Sequence, residues 1–344
     1  MDHNIYMQRC LQLAGNAEGN TSPNPLVGSV VVYNGNIIGE GWHHKAGAPH
    51  AEVNAINSVS DKSLLSQSTI YVSLEPCAHF GKTPPCTDLI IQHKIPKVII
   101  GCRDSFEAVD GKGIEKLKQA GVDVRVGILE EECRFLNRFF FTYHIHKRPY
   151  IILKWAQSQD GFLDKKRVEG KKGINWITGK PTKALVHKWR HEVDAILVGS
   201  NTVINDDPEL TVRLVEGKNP VRLVIDPLSE TPANAKAYND AALNIAFITN
   251  HTSHLPESTL VVNFAEDVLN TIMETCYEHQ LQSILIEGGA HTLQQFITAG
   301  LWDEARVLTG APHFGEGLKA PALKSSPSET HTLGNDRLNI YYNR

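Results

Sequence analysis

Short apolar strand-like runs alternate with helix-like segments along most of the chain, and this alternation constrains the fold more than any other feature. Runs such as Lys97–Gly101 and Ser283–Ile286 are typical of strands that are buried within a sheet. Gly28–Tyr33 and Asn36–Gly41 flank the pair Asn34-Gly35, which predicts a hairpin. We therefore expect α/β sheets with helices packed on their faces.

The same patterns predict further elements on both sides of the chain's midpoint. Strands are expected at Ile70–Leu74, Val122–Val126, Tyr150–Trp155, Ala195–Val198, Val221–Ile225, Asn244–Thr249, Thr259–Asn263 and Glu304–Thr309. Helices are expected at Asn4–Gly15, Ala51–Val59, Thr87–His93, Gly113–Ala120, Pro181–Arg190, Glu266–His279 and Thr292–Ala299.

A break in this pattern divides the chain. Residues 142–149, TYHIHKRP, are polar and basic and end in proline, a composition typical of a linker. A chain of 344 residues is long enough for two domains. We expect them to cover residues 1–146 and 147–344.

Composition excludes several classes of partner. The formal net charge of −4 is unlike that of strongly basic nucleic-acid-binding domains, so no nucleic-acid partner is expected. The apolar runs are far shorter than the roughly 20 residues of a membrane span, so no membrane partner is expected. The first residues, MDHNIYMQRC, lack the features of a secretory signal. We expect a cytoplasmic protein, where paired cysteines serve as metal ligands or catalysts.

Two motifs predict a catalytic zinc site. The first contains His50 and Glu52, and the second contains Cys77 and Cys86 with eight residues between them. One imidazole and two thiolates leave the fourth position of zinc open, as in catalytic sites, and water bound there supplies hydroxide near neutral pH. Glu52 is expected to carry protons from the water to the leaving ammonia. This pattern is that of zinc deaminases, apart from the long gap between the cysteines.

Other interpretations of the cysteines and the zinc motif remain open. A non-catalytic zinc module would need a fourth protein ligand, for which His79 is the nearby candidate. A nucleoside or tRNA deaminase with an accessory C-terminal domain is a second alternative. The remaining cysteines are expected to be small buried hydrophobic residues: Cys10, Cys102, Cys133 and Cys276.

Three longer segments resemble a known family, the bifunctional deaminase–reductases of riboflavin biosynthesis. They are SPNPLVGSVVV (Ser22–Val32), GEGWHHKAGAPHAEVNAI (Gly39–Ile56) and SLEPCAHFGKTPPCTDLI (Ser73–Ile90). The resemblance implies a cytidine-deaminase-like three-layer domain followed by a dihydrofolate-reductase-like domain. It implies zinc-dependent deamination of 2,5-diamino-6-ribosylamino-4(3H)-pyrimidinone 5′-phosphate, and then reduction of the ribosyl group by NADPH. It also implies a homo-oligomer, either a dimer or a tetramer.

The resemblance assigns roles in the first domain. It implies one zinc ion per chain on His50, Cys77 and Cys86, with Glu52 as the catalytic proton carrier. The implied substrate contacts are Asn24, His43, His79 and Lys82.

In the second half, a strand at Ser283–Ile286, a glycine pair after Glu287 and a helix from about Thr292 predict an anion site, because glycine lets free backbone N–H groups approach a phosphate. The string DAILVGSNTVINDDPELTVR (Asp194–Arg213) also resembles the family. The implied substrate contacts are Lys154, Ile174, Arg190, Leu210, Arg213 and Glu287. The implied NADPH contacts are Gln157, Trp176, Thr202, Asp206, Pro227, Gly289, Ala290, His291, Thr292, Leu293, Gln294 and Gln295.

Two questions about the second half stay open. Opening the ribosylamine to an imine needs proton transfer, and Lys154, Asp206 and Glu287 are alternative groups for it. The chain also departs from the family pattern at Gln159, Ile174 and Pro227, which puts those individual contacts in question.

Overall fold

The computed structural model describes residues 2–78, 80, 84–105, 110–167, 172–249 and 254–343. The chain divides into two compact units, Met1–Lys147 and Arg148–Arg344. No helix within these described ranges is long and apolar enough to cross a membrane.

A mixed sheet with the strand order β2-β1-β3-β4-β5 forms the centre of the first unit. Its strands are β1 (Gly28–Tyr33), β2 (Asn36–Trp42), β3 (Thr69–Leu74), β4 (Lys97–Cys102) and β5 (Asp123–Val126). Strand β1 pairs antiparallel with β2 and β3, whereas β3, β4 and β5 are parallel. The predicted hairpin at Asn34-Gly35 is confirmed.

Helices cover both faces of this sheet. They are α1 (His3–Gly15), α2 (Ala51–Ser58), α3 (Cys86–Gln92), α4 (Lys112–Gln119), α5 (Glu130–Leu136) and α6 (Arg138–His146), with a short 3-10 helix at Lys62–Gln67. Val30 packs in one apolar cluster, with α1, and Val31 packs in another, with α2 and α3. Because successive strand residues point to opposite faces, the unit has the predicted three layers.

The predicted linker at residues 142–149 is wrong for most of its length. Helix α6 extends to His146, so only Lys147–Pro149 separate it from the next strand. The helix buries Phe140, Phe141 and Tyr143. This apolar contact stabilises a helix in a segment whose polar and basic residues suggested a linker.

The second unit contains a larger sheet with the order β11-β10-β9-β8-β12-β6-β13-β16-β15, and a small pair β14-β7. The strands are β6 (Tyr150–Gln157), β7 (Phe162–Lys165), β8 (Ala195–Gly199), β9 (Val221–Ile225), β10 (Asn244–Ile248), β11 (Thr259–Asn263), β12 (Ser283–Ile286), β13 (Glu304–Thr309), β14 (Gly317–Lys319), β15 (Glu329–Leu333) and β16 (Asp336–Tyr342). Each neighbouring pair from β11 to β13 in this order is parallel, whereas β16 pairs antiparallel with both β13 and β15. The carboxyl ends of the parallel strands therefore meet at one edge, where open α/β sheets bind ligands.

Four helices and a 3-10 helix at Lys236–Tyr238 are found in the described part of this unit: α7 (Lys180–Glu192), α8 (Ser200–Asp206), α9 (Val268–Glu278) and α10 (Ala290–Ala299). Two apolar clusters cover the two faces of the sheet, so that Leu197 packs in one and Val198 in the other. The predicted alternation of strands and helices is confirmed for β6, β8–β13, α7, α9 and α10.

Candidate functional site

His50, Cys77 and Cys86 meet beside the N-terminal ends of two helices. His50 is the N-cap of α2, Cys86 is the first residue of α3, and Cys77 follows β3. His50 Nδ1 lies 3.6 Å from Cys77 Sγ and 3.3 Å from Cys86 Sγ. The three ligand atoms lie within 4.8 Å of one another. Zinc–nitrogen and zinc–sulfur bonds of about 2.0 and 2.3 Å place tetrahedral N and S ligands about 3.5 Å apart, so this donor set fits zinc.

The electrostatics of the cysteines also favour a metal. The backbone N–H of Cys86 donates to Cys77 Sγ at 3.3 Å. Hydrogen bonds from the Cys86 and His50 side chains lower the pKa of Cys77, and the thiolate is the form of cysteine that binds metals. The other four cysteines are buried, as predicted.

Glu52 lies in the first turn of α2 and is 3% exposed. Burial raises the pKa of Glu52 to about 7, with a smaller contribution from Cys77. A carboxyl group with such a pKa both takes up and releases a proton near neutral pH, as a general acid–base must.

His43 orients Asn24. His43 Nδ1 lies 3.1 Å from the Pro49 carbonyl oxygen, and His43 Nε2 lies 3.0 Å from Asn24 Nδ2. Since a carbonyl only accepts, Nδ1 carries the proton and Nε2 accepts from the Asn24 amide. This arrangement fixes the amide orientation and leaves the Asn24 oxygen for a ligand. The other two predicted substrate contacts of this unit, His79 and Lys82, lie outside the described residues.

Two supporting residues were missed from the sequence. The buried carboxylate of Glu75 accepts N–H bonds from Gly111, Gly113 and Ile114, which ties the start of α4 to the turn that carries Cys77. Asn137, between α5 and α6, bonds to both the N–H and the carbonyl of Leu26 at 2.8 and 2.9 Å. It therefore clamps the loop that carries Asn24.

In the second unit, a cavity of about 590 Å³ is lined by residues from β6, β8, α7 and the segment directly after β12. Half of the predicted contacts of this unit, including all six predicted substrate contacts, line it: Lys154, Ile174, Trp176, Arg190, Thr202, Asp206, Leu210, Arg213 and Glu287. Gln157 lines a separate cavity of about 300 Å³ with Thr309 and Arg337. Pro227 and the run Gly289–Gln295 are in neither lining.

Glu287 is the charged centre of the larger cavity. Arg190 donates to both of its carboxylate oxygens at 2.9 Å, and Lys154 Nζ donates at 3.3 Å. Burial by itself would raise the pKa of Glu287, but the charges of Arg190 and Lys154 outweigh it and lower the pKa to about 2. Glu287 is therefore a fixed anion that orients two cations.

Asp206 is held by a partner that the sequence did not reveal. Arg167 Nη2 donates to its carboxylate at 2.7 Å. Burial raises the pKa of Asp206, and Arg167 opposes that shift. The ion pair joins the end of α8 to the segment after β7.

The glycine loop after β12 approaches its neighbours closely. A Cβ on Gly288 would lie 2.9 Å from Thr292 Cβ, and a Cβ on Gly199 would lie 2.8 Å from Thr292 Oγ1. Gly289 is the N-cap of α10, so the first N–H groups of this helix lack intrahelical partners and favour an anion. This helix start fits a phosphate group.

Comparisons with known proteins cover both units. Residues 149–334 match the RibD C-terminal domain, and residues 1–102 match the cytidine and deoxycytidylate deaminase zinc-binding region. The chain is 42% identical over 354 residues to the riboflavin biosynthesis protein RibD of Aquifex aeolicus, covering 98% of each. It is 35% identical over 325 residues to RibD of Escherichia coli, covering 89% of this chain and 87% of that protein.

Solved structures agree with these matches. A deaminase/reductase from Thermotoga maritima, named as a diaminohydroxyphosphoribosylaminopyrimidine deaminase and 5-amino-6-(5-phosphoribosylamino)uracil reductase, matches with a TM-score of 0.89 and 36% identity, covering 98% of this chain and 97% of that one. Acinetobacter baumannii RibD matches with a TM-score of 0.87 and 30% identity, covering 98% of each. Matches of this extent favour the predicted two-enzyme organisation over a tRNA or nucleoside deaminase with an accessory domain. The chain belongs to the RibD family of bifunctional deaminase–reductases of riboflavin biosynthesis.

Proposed function

We propose that the chain performs two consecutive reactions on one phosphorylated pyrimidine. The domain at residues 1–146 hydrolyses the 2-amino group of 2,5-diamino-6-ribosylamino-4(3H)-pyrimidinone 5′-phosphate. The domain at residues 147–344 then reduces the ribosyl group to a ribityl chain with NADPH. The observation that carries this proposal is the cluster of His50, Cys77 and Cys86 beside the buried carboxyl of Glu52, on a chain whose second half matches the RibD reductase domain.

In the deaminase step, His50, Cys77 and Cys86 hold one zinc ion, which supplies Lewis acidity for hydrolysis. Glu52 takes a proton from the attacking water and delivers one to the departing ammonia. The Asn24 amide oxygen, oriented by His43, accepts a hydrogen bond from the pyrimidine. His79 and Lys82 are proposed as further contacts, with Lys82 binding the substrate phosphate.

In the reductase step, NADPH supplies the hydride. The loop at Gly288–Gly289 and the first turn of α10 hold the pyrophosphate of NADPH. Thr202 and Trp176 contact the same cofactor from the cavity wall. Glu287 keeps Lys154 and Arg190 in place, so of the groups considered for proton transfer, Lys154 and Asp206 remain. The guanidinium of Arg213, half exposed in the cavity, binds the substrate phosphate.

A coupled assay tests this proposal. Purified holoenzyme with the diaminopyrimidine and NADPH should release ammonia before it oxidises NADPH. A zinc chelator should stop both reactions with this substrate, but should spare NADPH oxidation when the deaminated product is supplied directly. Ammonia release without any NADPH oxidation, even with the deaminated product, would contradict the second half of the proposal.

The proposed assembly is a homo-oligomer, a dimer or a tetramer. Light scattering of the purified chain measures its mass directly, and a monomeric mass at micromolar concentration would contradict this part of the proposal.

A further inference from the structure

His187 lines the same cavity but belongs to none of the motifs discussed above. It lies on α7, one turn before Arg190, and is 7% exposed. Arg190 and Arg213 line the cavity beside it.

The hydrogen bonding of His187 determines which ring nitrogen carries the proton. Its Nδ1 lies 3.1 Å from the backbone nitrogen of Arg213, which donates to it. Because a backbone N–H can only donate, Nδ1 must be unprotonated. A neutral His187 therefore carries its proton on Nε2, the one ring N–H that it can offer to a ligand in the cavity that it lines.

Charge favours this neutral form. Burial lowers the pKa of His187 most, and the charges of Arg190 and Arg213 lower it further, to about 4, although Glu287 and the Thr211 carbonyl oppose them. A neutral donor beside two arginines adds a hydrogen bond for an anion without adding a third repelling charge.

We propose that His187 donates its Nε2–H to the phosphate of the reductase substrate, next to Arg213, and so helps the site to select phosphorylated over unphosphorylated substrates. This inference rests on the reductase function proposed above.

The state of Arg213 supports a phosphate as the ligand. Arg213 Nη1 donates to Glu209 at 2.5 Å and to Thr211 Oγ1 at 2.8 Å. Within the described residues, no acceptor binds its Nε or Nη2. A guanidinium edge and an imidazole N–H at neighbouring positions, both only donors, fit an acceptor-only phosphate oxygen better than a hydroxyl group.

The test compares two substitutions in the full-length holoenzyme. His187→Leu removes both hydrogen bonds, whereas His187→Gln keeps an amide donor and an acceptor. With 5-amino-6-(5-phosphoribosylamino)uracil, His187→Leu should raise KM about tenfold, the effect of losing a hydrogen bond to a charged group, while kcat changes far less. His187→Gln should recover most of the loss. With the dephosphorylated substrate, wild type and both variants should have similar KM values.

His191 provides a matched control on the same helix. Its Nδ1 also accepts a backbone N–H, from Lys218 at 3.0 Å, but it does not line the cavity. His191→Leu should therefore leave the KM unchanged, and ammonia release by the first domain should be unchanged in every variant.

Three results would overturn the inference. The first is an unchanged KM in His187→Leu. The second is an equal rise in KM for both substrates, which would indicate a sugar contact or a purely structural role. The third is a rise of similar size in His191→Leu.

A nitrogen-15 histidine spectrum gives a readout without turnover. The His187 signal, assigned by its loss in His187→Gln, should show the proton on Nε2 and should shift on addition of inorganic phosphate. A wild-type enzyme that shows this shift but never oxidises NADPH would instead contradict the proposed reductase function.

Discussion

Glu52 in the first unit and Glu287 in the second are both almost removed from water, since the Glu52 residue is 3% exposed and the Glu287 side chain is 9% exposed. Their pKa values nevertheless shift in opposite directions. Burial raises the pKa of Glu52 and the charge of Cys77 raises it further, to about 7, because the opposing effects of His50 and of a hydrogen bond with Cys86 are smaller. The cations Arg190 and Lys154 lower the pKa of Glu287 to about 2 despite its burial. The comparison shows that the partners of a buried carboxyl, and not burial alone, decide whether it moves a proton or anchors other groups.

The largest effect is expected from Glu52→Gln, which removes the proton carrier but keeps the shape. Deamination should fall by about 10³-fold or more, near the upper range of general acid–base catalysis. Zinc content, measured by metal analysis, and NADPH oxidation with the deaminated product should stay at wild-type levels. Normal ammonia release with bound zinc would favour a structural zinc module instead.

Glu287→Gln should be the next most damaging substitution, for a different reason. It leaves Arg190 and Lys154 in a poorly hydrated pocket without their counter-ion, which is strongly unfavourable. We expect NADPH oxidation to fall about 100-fold and the thermal midpoint of the chain to drop, while ammonia release persists. An unchanged reductase rate would show that Glu287 does not organise this cavity.

The pH dependence of stability sharpens the same contrast. The pKa of Glu287 is lowered from 4.5 to about 2, so between these values the folded state binds fewer protons than the unfolded state. Its contribution is fully present above pH 4.5 and is lost as the pH falls towards 2. Between pH 6 and pH 3, urea unfolding should therefore show about 2 kcal/mol more loss for wild type than for Glu287→Gln. Parallel pH profiles of the two proteins would contradict the assigned partners.

A third buried carboxylate, Glu75, extends the comparison with the smallest expected effect. Its partners are backbone N–H groups, and both oxygens of the Glu75 carboxylate accept hydrogen bonds from them. Glu75→Gln turns one acceptor into a donor, loosens the turn that carries Cys77, and should weaken zinc binding about tenfold. Competition with a chromogenic chelator measures this affinity. Glu115→Gln, on the exposed face of α4, is the control and should bind zinc as wild type does.

The sequence predicted what depends on local pattern. Strands such as Val221–Ile225 and Ser283–Ile286 have the predicted bounds, because short and mostly apolar runs are typical of strands that are buried within a sheet. The helix predicted to begin at Ala51, directly after His50, begins at that residue, because the apolar periodicity that marks it is a local signal. Strand β15 was missed because its residues are largely exposed at a sheet edge and show no apolar alternation.

Interactions between distant residues could not be predicted in this way. Arg167 and Asp206 are 39 positions apart, and Asn137 and Leu26 are 111 apart. Nothing in the local sequence around these residues indicates which distant residue each of them contacts. For Glu75 a signal existed, since an acidic residue directly after an apolar strand needs a partner when buried.

The clamp formed by Asn137 also has a practical consequence for dividing this protein into fragments. The match to the deaminase zinc-binding region ends at residue 102, and a fragment cut there would retain all three predicted zinc ligands. It would nevertheless lose the side chain that secures Leu26 from the far end of the unit. We therefore expect an autonomous deaminase fragment of this chain to need at least Asn137, and α6 completes the compact unit Met1–Lys147.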